Sequence, residues 1–90
     1  MTTRVERSYR GISERLAIRY LENLGGERVD EDAVDGGGWT ATLSSESVGV
    51  GPTLSLTEVT VAFEFDDDVD EAEREALIEA FTRKAMRAGG

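Results

Sequence analysis

Four features of the sequence have residue types and spacings that could do chemistry. They are the acidic run at residues 66–70, the arginines of the N-terminal segment, the glycines at 36–38 and the final pair, Gly89 and Gly90. The chain has no His and no Cys, which excludes imidazole bases, thiolate nucleophiles, disulfides and zinc-finger motifs. Catalysis would have to use carboxylates, hydroxyls, Lys84 or the chain terminus, so we expect a binding or carrier protein and no enzyme.

The acidic run matches a calcium-binding loop only in part. Asp66, Asp68 and Asp70 alternate as the first ligands of such a loop do. The loop then needs a Gly where this chain has Glu71, and a bidentate Glu where it has Leu77. We therefore predict no metal site, and we interpret the run as a solvated connection between a strand and a helix.

Neither the arginines nor the glycine triplet predicts phosphate binding. Arg15 and Arg19 share one predicted helix face, but a chain with a net charge of −9 repels nucleic acid, and no aromatic stacking motif accompanies them. The glycines at 36–38 lack the Lys and Ser/Thr of a phosphate loop and precede a strand instead of a helix. We predict a solvated helix face, a turn and no nucleic-acid partner.

Length and composition indicate a single folded domain over residues 1–90. A chain of 90 residues can bury one small core, and its aromatic and aliphatic residues argue against a disordered acidic chain. No stretch approaches the roughly 18 apolar residues of a membrane span, and the polar first residues lack the apolar region of a signal peptide. We expect a cytoplasmic protein with no membrane partner.

The charge balance is strongly acidic, with 19 Asp and Glu against 10 Lys and Arg. Lys84 is the only lysine. This composition resembles the proteins of salt-accumulating halophiles, and the resemblance implies a haloarchaeal source. Because salt screens self-repulsion over a Debye length of about 3 Å at 1 M, we expect stability to rise with salt.

The spacing of apolar residues predicts two helices. The first lies between residues 12 and 24, with Ser13 as its N-terminal cap and Gly25 and Gly26 at its end. The second runs from about residue 71 to residue 87, begins after an Asp70 cap, and has acidic residues in its first turn and basic residues in its last. Its buried stripe is predicted to contain Leu77, Phe81 and Ala85.

Alternation of apolar and polar residues predicts the strands. Residues 39–44 alternate strictly, which places Trp39, Ala41 and Leu43 on the core face. Residues 53–65 give the longest strand pattern, but its phase slips at Thr57 and Glu58, so we predict a β-bulge there. Residues 47–50 predict a short strand and residues 4–10 a weakly patterned one. Residues 27–38 predict a loop, with a short edge strand as the alternative.

These elements predict a two-layer α+β domain in which an antiparallel sheet of three or four strands carries both helices on one face. A β-grasp-like arrangement, which opens with a β-hairpin, is the alternative. The opposite sheet face is a candidate docking surface by geometry alone, and its residues are Thr40, Thr42, Thr60, Ala62 and Glu64.

The last residues of the sequence resemble those of ubiquitin-like modifiers and sulfur carriers. The resemblance rests on Gly89 and Gly90, on Arg87 just upstream and on a length of 90 residues. The families concerned are the small archaeal modifier proteins, the molybdopterin-synthase small subunit and the thiamine sulfur carrier. Two residues without Cβ make the slimmest tail for the channel of an activating enzyme. We therefore predict a Gly-Gly tail at residues 88–90.

This resemblance implies that an E1-like enzyme uses ATP to adenylate Gly90. Gly90 would then become a thiocarboxylate for sulfur delivery or form an isopeptide bond with a lysine of a target protein, and Gly89 would be its flexible neighbour. The chain itself would bind no cofactor. Self-linked chains could form only through Lys84 or the N-terminus.

A different interpretation of the last residues stays open. Glycine commonly follows the last turn of a helix, so Gly89 and Gly90 could simply end the second helix. The chain would then be a non-catalytic accessory or interaction domain of α+β fold.

Overall fold

The computed structural model describes residues 3–49 and 51–89. The elements in chain order are β1 (Thr3–Arg10), α1 (Glu14–Asn23), β2 (Glu27–Asp30), β3 (Ala33–Asp35), β4 (Trp39–Gly49), β5 (Ser55–Phe65) and α2 (Glu71–Gly89). The strands form one sheet in the order β1-β5-β4-β3-β2, and all neighbours are antiparallel. Neither helix of these residues combines the length and the apolar character that crossing a membrane requires.

Both predicted ends of α1 are confirmed. The hydroxyl of Ser13 accepts a hydrogen bond from the Leu16 N–H at 3.2 Å and so satisfies a donor of the first turn. At the other end Gly25 has a φ of +102°, a left-handed conformation that favours glycine. The next residue, Gly26, donates to the carbonyl of Leu21 at 3.0 Å, as expected of a helix that ends on a left-handed glycine.

The predicted bulge in β5 is wrong. The register of β5 against β4 is continuous from Ser55 to Phe65. Because the strand has no bulge, its two apolar sets lie on opposite faces of the sheet. The set from Val59 onward alternates into the core, whereas Leu56 and Leu54, which directly precedes β5, are 39% and 62% exposed. Residues 44–47 and 51–57 are exposed, so the far end of the β4–β5 hairpin extends past the helices and has no core to face.

The sheet has five strands instead of the predicted three or four. Residues 27–38, predicted as a loop, contain the β2–β3 hairpin, so the edge-strand alternative is confirmed. Every residue of β2 is exposed, and its register shifts between Arg28 and Asp30, which explains why no apolar alternation marks it. Val34 of β3 is fully buried and attaches the hairpin to the core. The N-terminal strand, predicted at residues 4–10, is confirmed as β1.

Helix α2 begins where the sequence predicts. Asp70 Oδ1 accepts a hydrogen bond from the Glu73 N–H at 2.8 Å, which caps the first turn. Phe81 and Ala85 are buried, as predicted for the apolar stripe, and Leu77 is partly buried. The helix extends two residues beyond the predicted end at residue 87.

One hydrophobic core joins the two layers. Its buried residues come from α1, from α2 and from alternate positions of β3, β4 and β5, which confirms the α+β class. The β-grasp-like alternative is wrong, because α1 follows β1 directly where a β-grasp chain would open with a hairpin. The core face includes Ile18, Leu21, Leu43, Val61, Phe63 and Phe81.

Candidate functional site

Of the two predicted reactive residues, Gly89 lies at the end of α2. Ala85 is the last described residue of this helix that is buried, at 3% exposure, whereas Met86 is 69% exposed and Arg87 is also exposed. Gly89 is the final residue of the helix, and Gly90 lies outside the described residues. The described side chains beyond Ala85 therefore have no packing against the core.

Lys84, the predicted site of self-linkage, is only half-buried. Its Nζ lies 6.0 Å from the centroid of the Tyr20 ring, the outer limit of a cation–π contact. The ammonium group is therefore held near α1 and is still accessible from solvent.

The predicted docking face is on the side of the sheet away from the core. Strand register pairs Thr40 with Glu64 and Thr42 with Ala62 across β4 and β5, and the Thr60 hydroxyl lies 3.0 Å from that of Ser8 in β1. Ala62 is only 8% exposed because it lies between longer side chains of both neighbouring strands. The face is therefore rich in hydroxyl groups and has no large apolar side chain at its centre.

The acidic run lies where the sequence predicts, between a strand and a helix, and Arg15 and Arg19 are exposed. No group of residues suited to a metal ion occurs among the described residues, and residues 66–70 connect β5 to α2. Two N-terminal arginines pair across the sheet, Arg4 with Glu64 at 3.4 Å and Arg10 with Glu58 at 3.0 Å. The glycine triplet is a turn between β3 and β4, with a φ of +83° at its centre.

A groove that the sequence patterns did not predict lies beside Trp39. It has a volume of about 550 Å³ and separates the first half of α2 from the turn at residues 36–38. Strand alternation placed Trp39 in the core, yet its side chain is only half-buried and borders this groove. The sequence signal for the groove is the glycine triplet directly before the indole. Its walls include Trp39, Asp68, Val69, Glu73, Leu77 and Ala80.

Fold and site together define a small α+β domain whose last helix carries Gly89, with no metal-ligand group in residues 3–49 and 51–89. The sequence matches the archaeal MoaD-like protein family over residues 5–90, so the chain belongs to that family. The matched range includes Gly89 and Gly90. Membership supports the predicted class, a ubiquitin-like sulfur carrier of the MoaD type. No match was found among curated proteins.

Proposed function

We propose that the chain is a carrier whose Gly90 carboxylate is activated by an E1-like enzyme in the cytoplasm. A carboxylate oxygen attacks the α-phosphorus of ATP and expels pyrophosphate, which leaves an acyl-adenylate on Gly90. Hydrosulfide then displaces AMP and loses a proton to give a thiocarboxylate, or a target lysine displaces AMP, loses a proton and forms an isopeptide bond. The observation that carries this proposal is the family match, which extends through both glycines.

The packing of α2 supports a tail that can be extended on demand. An activating enzyme needs the terminal residues in an extended form, and in this structure the helix continues to Gly89. Unwinding the turn after Ala85 removes no buried side chain among the described residues, since Met86 and Arg87 are exposed. A glycine within a helix costs about 1 kcal/mol relative to alanine, which further favours unwinding there.

Intact-mass measurement tests the proposal. The protein is incubated with ATP, a sulfur donor and extract of its own cells, beside a variant that lacks Gly89 and Gly90 and a variant with one alanine added after Gly90. The unaltered chain should gain the mass of one oxygen replaced by sulfur, or form larger conjugates, and neither variant should. An alanine added at the N-terminus is the matched control and should leave both products intact. Products that survive both C-terminal changes would disprove a role for Gly90.

A second candidate is a non-catalytic interaction domain, and the order of helices and strands along the chain favours it. The first strand leads into a helix instead of a hairpin, and the chain reaches Gly89 through a helix instead of a strand. Glycine at the end of α2 would then serve only to stop the helix. If neither C-terminal variant differs from the unaltered chain in the mass that it gains on incubation or in the conjugates that it forms, this second candidate becomes the better account.

A further inference from the structure

The groove beside Trp39 is a built feature of the fold. A Cβ atom on Gly36 would lie 1.8 Å from Cε2 of Trp39, and a Cβ on Gly26 would lie 2.9 Å from its Cη2. The Gly36 contact is far shorter than any real Cβ contact, and a Cβ on Gly26 would also lie 2.4 Å from Cγ1 of Val34, so a side chain at either position would force its neighbours to move. The ring is therefore fixed between two glycine backbones while part of its surface faces the groove.

The opposite wall of the groove is aliphatic. Leu77 and Ala80 come from α2, and Val69 comes from the connection that precedes it. Leu77 and Val69 pack against the core and are only partly buried, so part of each side chain remains at the surface. A ligand in this groove would lie between an indole and an aliphatic wall.

Two carboxylates complete the groove. Asp68 and Glu73 line it and are exposed, and neither carboxylate has a hydrogen bond or an ion pair with another residue in the described part of the chain. The nearest cation in sequence, Arg74, donates to the carbonyl of Val69 at 2.8 Å. Residues 66–75 hold seven acidic residues against one arginine, so this end of the molecule attracts cations and repels anions.

We propose that this groove binds an arginine side chain that a partner protein presents between aliphatic residues. A guanidinium group stacks on an indole, its aliphatic stem packs on apolar side chains, and its N–H donors match carboxylates. The groove supplies the indole of Trp39 and the apolar side chains of Leu77 and Val69. It also supplies the carboxylates of Asp68 and Glu73. Phosphates and nucleic acids are disfavoured by the acidic field, and a purely apolar ligand would gain nothing from the two carboxylates.

This docking site is separate from the proposed reactive end. Glu73 and Gly89 are at opposite ends of α2, about 24 Å apart at 1.5 Å per residue. A partner bound at the groove would leave the tail free, and loss of groove binding would leave the chemistry of Gly90 intact. The proposal therefore stands or falls independently of the carrier function.

Titration with short peptides tests the proposal, because Trp39 is the only tryptophan and its emission reports on the groove. The probe is a capped tripeptide with arginine between two leucines, compared with peptides that carry lysine, norleucine or glutamate at the centre. The arginine peptide should shift the emission saturably and bind most tightly, and the glutamate peptide should not bind. Added salt should weaken the binding of the arginine peptide.

Matched variants show whether the groove carboxylates are responsible. The double variant Asp68→Asn, Glu73→Gln should bind the arginine peptide about fivefold more weakly or worse. The control Glu71→Gln, Glu75→Gln removes the same number of charges outside the groove, so it weakens the general acidic field equally and should lower the affinity much less than the groove variant does. The proposal is overturned if the arginine peptide shows no saturable binding, or if the lysine or norleucine peptide binds equally tightly. It is also overturned if the control variant loses as much affinity for the arginine peptide as the groove variant does.

Discussion

The hydroxyl oxygen of Tyr9 lies 2.8 Å from Oγ1 of Thr82, so a hydrogen bond joins strand β1 to helix α2. The Tyr9 ring also meets Phe81 edge to face, with 5.1 Å between the centroids. Strand β1 is at an edge of the sheet and pairs only with β5. Tyr9 therefore connects that edge to the helix layer through one polar and one aromatic contact.

Replacement of Tyr9 by Phe should lower the free energy of unfolding by about 1 kcal/mol, because it removes the hydrogen bond and keeps the ring. Thr82→Val removes the other partner of the same hydrogen bond. Chemical denaturation measures the free energy of unfolding of both variants. The double variant should be little less stable than either single variant, since all three lose one shared interaction. Fully additive losses would show that the two hydroxyls contribute separately.

The same tyrosine predicts a loss of stability at high pH. Burial raises the pKa of Tyr9 above its ordinary 10.0, although the Thr82 hydrogen bond and the Arg7 charge act in the opposite direction. The unfolded chain therefore loses this proton at a lower pH than the folded chain does. The stabilising contribution is fully present below pH 10 and is lost as the pH rises through the raised folded value. The difference in stability between the unaltered chain and Tyr9→Phe should shrink over that range; a constant difference would contradict the assignment.

Gly36→Ala tests the fit of glycine against the indole. The added Cβ would lie 1.8 Å from Cε2 of Trp39, so the ring or the turn must move. We expect a loss of about 1–3 kcal/mol in unfolding free energy, as for other overpacked sites, together with a red shift of tryptophan emission. Gly49→Ala is the control, because a Cβ there meets nothing within 4 Å. An unchanged emission spectrum in Gly36→Ala would mean that the indole is not held as described.

Local sequence patterns were sufficient to predict the helices and the inner strands. Ser13, Gly25 and Asp70 mark helix ends through contacts with residues only a few positions away, so their role can be inferred without knowing the fold. The strict alternation from Trp39 to Leu43 likewise identified the inner end of β4. Such signals depend on backbone geometry that is the same in every fold.

Features that depend on distant parts of the chain were missed. Periodicity shows that Leu54 and Leu56 share a face, but it does not show that this end of the hairpin extends past the helices, where neither face has a core to meet, and so a bulge was wrongly predicted. The groove brings Trp39 of β4 beside Leu77 of α2, and no local pattern connects them. The predictions for Gly89 and Gly90 rest on family resemblance and stay predictions.

Salt should stabilise the fold. Net charge is −9, and the ion pairs Arg4–Glu6, Arg4–Glu64, Arg10–Glu58 and Arg83–Glu79 are mostly exposed and contribute about 0–1 kcal/mol each. Salt screens both these attractions and the repulsions among the excess carboxylates. Because the repulsions are more numerous, their loss should dominate the change in stability. The thermal midpoint should rise between low salt and 1 M potassium chloride. The variant Asp66→Asn, Glu75→Gln, which keeps the acidic residues of the first turn of α2, should be more stable at low salt and respond less; a midpoint that falls with salt would show that the pairs dominate.

Lys84→Arg separates self-linkage from conjugation to other proteins. Arginine keeps the charge near the Tyr20 ring but cannot form the isopeptide bond, so side-chain-linked chains should disappear while conjugates with other proteins persist. The measurement is mass spectrometry of tryptic peptides whose lysine carries an Ala-Gly-Gly remnant, because trypsin cleaves after Arg87 and leaves residues 88–90 on the acceptor. The matched variant Arg83→Lys, Lys84→Arg moves the lysine to a side-chain position that is 73% exposed, and it should restore linkage at residue 83. Loss of all conjugates in Lys84→Arg would instead give Lys84 a role in activation, because the acceptor lysines of other proteins are unchanged.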